Sequence, residues 1–263
     1  MKTVILLTGC INPNGMPFTQ LTNTSERQKQ YVDAIHYYLR NTDCKIVFCE
    51  NSNTDISQLF INEQERLDIL TFSGNQNKQR GKGYGEAEII EYALQNSSFI
   101  QDDSIVIKIT GRLIVNNIYK IIKYQTSKHD FVTCLFHSNL KFADSRIFCG
   151  TVSFYKEFVK NKEHMNDSEG IFFEHVLAST VLGSSYRFIP FFEEPIIIGI
   201  SGSTGERYQK PIPDQRSQVL YKCYAWTQLA HIHKASPQRK LSFLFRITIL
   251  FNIIKNKLLS KYV

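Results

Sequence analysis

Apolar and polar positions alternate along the first half of the chain in blocks that predict strand and helix in turn. Thr3–Thr8 is an apolar run that breaks at Gly9 and passes into a polar loop as far as Gly15. Residues 25–39 repeat apolar positions at helical spacing, with Tyr31, Ile35 and Tyr38 on one side. Lys45–Cys49 predicts a second strand, ending in the polar cluster Glu50-Asn-Ser-Asn, and Leu67–Phe72 predicts a third. A glycine-rich polar stretch follows, then a helix over Glu86–Gln95 and a fourth strand over Ser104–Ile109, rich in β-branched residues. The order β-α-β-(α)-β-α-β, with polar loops at the strand ends, predicts an α/β domain with a mostly parallel sheet covered by helices. Such sheets bind ligands beyond the carboxyl ends of their strands, where these four loops fall.

The second half is more mixed. Asp130–Leu135 and Arg146–Tyr155 are strand-like, and Ser168 is placed to cap a helix running to about Leu182, with Asp167 and Glu169 at its positive end. Phe188–Phe192 and Pro195–Ile200 predict further strands, leading into the polar loop Ser201–Gly205. Pro211 and Pro213 punctuate a linker at 207–217. The expected organisation is a catalytic domain over 1–206, made of a binding half (1–128) and an acceptor half (129–206). A linker and helix (207–235) and a basic amphipathic tail (236–263) complete it.

Composition adds one decisive point. The net charge is +7, from 31 Lys and Arg against 24 Asp and Glu. Seven of those cations, Lys234, Arg239, Lys240, Arg246, Lys255, Lys257 and Lys261, lie in the last thirty residues, where no acid occurs. The folded body is therefore neutral, which argues against nucleic acid as a partner. On a helix, Phe243, Ile247, Leu250, Phe251, Ile254 and Leu258 form a stripe, with Arg246 and Lys257 opposite. That pattern predicts an interfacial helix on an anionic membrane rather than a span. The six cysteines show no metal or disulfide spacing and are expected as free thiols of a cytoplasmic protein.

Three segments carry candidate chemistry. In Arg80-Gly-Lys-Gly-Tyr-Gly-Glu, Gly81 and Gly83 ahead of a helix would let backbone amides approach a phosphate, with Arg80 and Lys82 supplying charge. A flexible surface loop is the alternative. In Lys108-Ile-Thr-Gly-Arg112, a lysine inside a buried strand must either pair with an internal carboxylate or serve a ligand. Arg112 offers a fork for phosphate oxygens, with the Thr110 hydroxyl between the two cations and Gly111 in the turn. In Asp144-Ser-Arg146 a cation stands where a second acid would complete a metal-chelating pair. Asp144 is thus the one candidate ligand for Mn²⁺ or Mg²⁺, and Lys and Arg are the alternative neutralisers of a diphosphate. Glu169 and Glu174 are the candidate bases, with Glu169 the more accessible and Glu174 the more enclosed.

Taken in order, Thr8-Gly9, Glu50-Asn51-Ser52, the Arg80–Glu86 segment and Lys108–Arg112 resemble the nucleotide-binding half of GT-A-type glycosyltransferases. Gly150-Thr-Val-Ser-Phe-Tyr with the acidic helix after it is similar to the acceptor half. The resemblance extends over 1–206 and is to bacterial enzymes of capsule and lipopolysaccharide O-antigen synthesis. It implies a hexosyltransferase using a nucleotide-sugar donor, a UDP-sugar first among them, and a glycan or lipid-linked glycan acceptor. Such an enzyme would work peripherally on the inner face of the cell membrane. It also implies that Thr8, Gly9, Glu50 and Asn51 face the nucleoside, and that Arg80, Lys82, Lys108 and Arg112 face the diphosphate. Asp144 would lie near the donor sugar and Glu169 or Glu174 near the acceptor. A sugar nucleotidyltransferase and a catalytically silent membrane-associated scaffold are the rival readings.

Overall fold

The computed structural model describes residues 2–16, 19–124, 129–209 and 213–235. The tail expected at 236–263 lies outside the described residues. In chain order the elements are β1 (Thr3–Gly9), α1 (Thr24–Asn41), β2 (Lys45–Glu50), β3 (Leu67–Thr71), α2 (Lys82–Asn96), β4 (Ile105–Thr110), β5 (Ile114–Val115), α3 (Ile118–Tyr124), β6 (Phe131–Thr133), β7 (Ile147–Thr151), α4 (Val152–Lys160), α5 (Phe173–Gly183), β8 (Arg187–Phe188), β9 (Ile197–Ile200), β10 (Arg207–Gln209) and α6 (Gln215–Ala235).

Seven strands form one sheet in the order β3-β2-β1-β4-β7-β6-β8. Its pairings are parallel except at β7, which runs antiparallel to both β4 and β6. The fold is therefore α/β, with a mostly parallel central sheet flanked by helices. Strands β5, β9 and β10 make a small antiparallel sheet beside it.

Side chains alternate across the central strands and build one core on each face. Ile5, Leu7, Ile46, Phe48, Ile107 and Ile109 point to the face covered by Tyr31, Ala34, Ile35 and Tyr38 of α1. Val4, Leu6, Val47, Cys49 and Val106 point to the other, covered by α2, α4, α5 and the inner edge of α6 through Leu229 and Ile232. Strands buried on both faces need continuous apolar runs, which is why β1, β2 and β4 are legible as such. The Asn23 side chain accepts from Glu26 N at 3.0 Å and caps α1 one residue before the expected start.

The expected elements differ from the observed ones mainly after residue 140. The strand expected over Arg146–Tyr155 ends at Thr151, and its last apolar residues open α4. The buried strand and the buried first residues of α4 follow each other as one apolar run, too short for periodicity to divide them. The helix expected from Ser168 begins instead at Phe173. Residues Asp167–Glu169 form a single tight turn closed by Gly170 at φ 77°. Helix α2 begins at Lys82, a full turn before Glu86, inside the glycine-rich segment. Part of the expected linker is ordered, with β10 at Arg207–Gln209 and α6 from Gln215.

Candidate active site

The strand order reverses direction between β1 and β4, and a cleft of about 700 Å³ opens there at their carboxyl ends. Thr8 and Thr110 are register partners at the tips of the two strands, and both line the cleft. Gly111 binds these tips together: its N–H donates to Thr8 O at 2.8 Å, and a Cβ there would lie 2.7 Å from that same oxygen.

Lys108 is the pivot of the floor. Its side chain is 0% exposed, and Nζ lies 2.5 Å from Glu86 Oε1 on the first turns of α2. Thr8 Oγ1 donates to the same Glu86 oxygen at 2.9 Å, and Lys108 Nζ donates to Ser145 O at 2.6 Å. The expected contact from Lys108 to a diphosphate is therefore corrected. The lysine is an internal partner of Glu86, the alternative that its place in a buried strand had left open. Ser145 passes the link on, donating from Oγ to Glu174 Oε1 at 2.6 Å. Glu174 lines the cleft, and burial holds its carboxyl above the ordinary carboxylate range. The Ser145 bond and Lys108 act against that rise, and Glu86 adds to it.

The glycine-rich segment differs in purpose from the expected phosphate cradle. Asp167 Oδ2 accepts from Lys82 N at 2.8 Å and from Gly83 N at 3.4 Å, so a carboxylate of the chain itself occupies the N-terminus of α2. Gly81 has φ 94°, and a Cβ on it would come within 2.3 Å of the Asp167 side chain. A Cβ on Gly83 would stand 2.9 Å from Phe173 N. These two glycines let the turn before α5 press onto the start of α2. Desolvation raises the Asp167 carboxyl against these two amide bonds, and its Oδ1 is buried without a hydrogen bond. Lys82 reaches into the cleft, with Nζ donating to Ser203 Oγ at 2.5 Å. Desolvation lowers its ammonium, and the nearby carboxylates of Asp167, Glu86 and Glu174 counter that.

Arg112 lies on the cleft wall, 8% exposed, with NH1 donating to Gln30 Oε1 at 3.0 Å and to Ile200 O at 3.2 Å. Its Nε is buried with no hydrogen-bond partner. Gly202 packs against it so closely that a Cβ would lie 2.4 Å from NH2. Gly9 and Asn51 line the cleft as well, and Asn51 Nδ2 donates to Asn75 Oδ1 at 2.9 Å.

Glu50, Arg80 and Glu169 lie elsewhere. The Glu50 carboxylate is buried and folded into its own loop, accepting from Ser52 N at 2.9 Å, Thr54 N at 2.6 Å and Thr71 Oγ1. It shapes the β2 loop and does not face the cleft. Arg80 turns away to Glu163, 2.7 Å from NH1 to Oε2, and to Met165 O, lying over the Tyr84 ring. Glu169 is exposed on the turn before α5 and does not line the cleft. Asp144 does line it, but both carboxylate oxygens take the Arg146 guanidinium, Oδ1 from Nε at 2.9 Å and Oδ2 from NH2 at 2.5 Å. A carboxylate so engaged does not fit a divalent cation. Among the described residues no group of three or more His, Cys, Asp or Glu is placed to hold one.

Glu86, Ser145, Asp167 and Asn75 belong to the site without having been singled out for it. Glu86 closes the glycine-rich segment in sequence, but nothing in its spacing announces Lys108 as its partner. Asp167 meets Lys82 across 85 residues, a separation no local pattern spans.

No protein-family model matches the chain, and no curated protein matches it in sequence. Among solved structures, the glycosyltransferase GlyE of Streptococcus pneumoniae TIGR4 is similar over 72% of this chain and 45% of its own, at 13% identity and TM-score 0.43. This chain thus spans less than half the length of that structure. The galactosyltransferase LgtC, solved in complex with donor and acceptor sugar analogs, is similar over 94% of this chain and 99% of its own, at 7% identity and TM-score 0.47. A cytidylyltransferase from Leptospira borgpetersenii is similar over 92% and 99%, at 12% identity and TM-score 0.43. The solved structures that resemble this chain thus include both glycosyltransferases and nucleotidyltransferases.

Proposed function

We propose that the protein is a GT-A-like glycosyltransferase that moves a hexose from a nucleoside-diphosphate sugar, a UDP-sugar first, to a glycan acceptor. The observation that carries this is the composition of the cleft. The buried Arg112, the half-buried Lys82 and an enclosed carboxylate, Glu174, line one cavity at the switch point of the sheet. Arg112 lines the cleft, and its planar guanidinium is suited to paired phosphate oxygens. For an inverting transfer, Glu174 takes the proton of the acceptor hydroxyl as that oxygen bonds to the anomeric carbon. The bond from that carbon to the phosphate oxygen breaks, and Lys82 and Arg112 meet the charge that leaves.

The test is turnover with a panel of nucleotide sugars and acceptor glycosides, read as free nucleoside diphosphate. Arg112→Ala should weaken donor binding and abolish the donor-induced rise in melting temperature. Donor binding without release of nucleoside diphosphate would instead identify a scaffold. Pyrophosphate released from a nucleoside triphosphate and a sugar phosphate would identify a nucleotidyltransferase.

The wider setting is part of the same proposal: a lipid-linked surface glycan, of capsule or O-antigen type, extended at the inner face of the cell membrane. The basic tail at 236–263 supports it, since its cations and apolar residues suit an anionic bilayer surface. Removal of 236–263 should release the protein from vesicles containing anionic lipid. Unchanged binding would overturn that part.

A further inference from the structure

The wall of the cleft nearest Glu174 is aromatic. Phe172 is the residue just before α5, and its ring is 40% exposed although it stands beside a well-packed core. His175 lies against it, ring centroids 5.5 Å apart and 22° from parallel, and is held there by Phe172 N donating to His175 Nδ1 at 3.1 Å. Phe142 meets His175 edge-on at 5.2 Å, and His137 meets Phe142 at 4.8 Å. His137 and Phe142 come from one narrow reversal after β6, where His137 N donates to Phe142 O at 2.8 Å and Leu140 takes φ 58°. His137, Phe142 and Phe172 all line the cleft, and so do Glu174 and the Asp144–Arg146 pair. Ala143 N donates to Glu174 O at 3.1 Å, fastening the reversal to the residue that carries the carboxylate.

A single exposed ring needs no explanation, but three aromatic side chains gathered on one wall of a cleft mark a surface that a ligand covers. What covers this one is indicated by its neighbours. A pyranose has one face of C–H bonds that packs on an aromatic ring and a rim of hydroxyls that bond to carboxylates and guanidinium groups. Both complements are side by side here. The platform comes from the reversal after β6 and the start of α5, whereas Gly9 ends β1 and Asn51 and Asn75 follow β2 and β3 on the far side of the switch point. We propose that His137, Phe142 and Phe172, the last held by His175, form the acceptor subsite, a stacking platform for a pyranose whose attacking hydroxyl is delivered to Glu174. This rests on the transferase reading above.

Two measurements separate the platform from that reading. In the full-length protein, Phe172→Ala should raise the KM for the acceptor by about tenfold. The donor KM of the same variant should change far less, and Glu169→Gln, on the exposed turn outside the cleft, should change neither KM. Phe172→Trp should restore acceptor binding, and its indole fluorescence should change with sugar. A comparable rise in donor KM, or equal loss in both aromatic and alanine variants, would overturn the subsite. Independently of turnover, saturation-transfer NMR with the methyl glycosides of glucose, galactose and N-acetylglucosamine should show binding to wild type and loss of it in Phe172→Ala. Sugar binding of that kind in a protein that turns over no donor would keep the platform and defeat the transferase. Donor turnover with an acceptor KM indifferent to Phe172 would do the reverse.

Discussion

Lys108 and Glu86 form an ion pair of 2.5 Å in which the lysine is wholly buried and the carboxylate also accepts from Thr8. The pair joins β4 to α2 beneath the cleft, and through Ser145 it reaches Glu174. Removing one partner of such a pair leaves a charge without its complement in a poorly hydrated place. Lys108→Met should therefore destabilise the fold by about 3 kcal/mol, and Lys108→Met with Glu86→Gln should recover part of that loss. Denaturant unfolding of the single and double variants measures it.

Glu174 and Glu169 separate by position. Glu174→Gln keeps an acceptor for Ser145 but cannot take a proton, so turnover should fall by on the order of 100-fold or more with donor affinity kept. Glu169→Gln, on the exposed turn, should retain full activity.

The pH dependence follows from the same residue. Burial raises the Glu174 carboxyl in the folded state, so between its ordinary and its raised pKa the folded protein binds more protons than the unfolded chain. Its contribution to stability is present at low pH and is lost as pH rises through the folded-state pKa. Activity runs the opposite way, since the base must be ionised, and its acid limb should lie above the ordinary carboxylate range. Glu174→Gln should accordingly remove that limb and raise the melting temperature at pH 8. Melting curves and rate profiles across pH 4–9 check both signs.

Gly81 is needed twice over, for its φ of 94° and for the closeness of Asp167. Gly81→Ala should cost roughly 1–3 kcal/mol. Combining it with Asp167→Ala should not repair the backbone part, because the strain of positive φ does not depend on the neighbour. Equal stability of Gly81→Ala and wild type would show that the α2 start does not hold this conformation in solution.

Arg146 occupies Asp144 so fully that donor binding should not depend on a divalent cation. A donor-induced rise in melting temperature should survive excess EDTA. Its disappearance in EDTA, and return with Mn²⁺ or Mg²⁺, would require another set of ligands.

Much of the scaffold was legible because burial on both faces forces unbroken apolar runs. Thr3–Thr8, Lys45–Cys49 and Ser104–Ile109 carry that mark, and the sheet has strands at all three. Past residue 140 the same rule loses resolution, since Ile147–Thr151 and the opening residues of α4, Val152, Phe154 and Tyr155, are buried in succession and read as one apolar run.

For the cleft, the sequence alone determined which loops meet at the strand ends and that Lys108 needed a partner. Those conclusions rest on local spacing and on the cost of an isolated charge. It did not determine which charged groups face solvent and which face each other. Glu50 and Arg80 have the right chemistry and the right loops, yet each is satisfied within its own surroundings. Asp167, by contrast, takes the helix terminus that the glycines had seemed to reserve for a ligand. Only the tertiary structure decided this, because a carboxylate or guanidinium goes to whichever partner lies within hydrogen-bond reach, and for Arg80 and Asp167 that partner is more than eighty residues away along the chain.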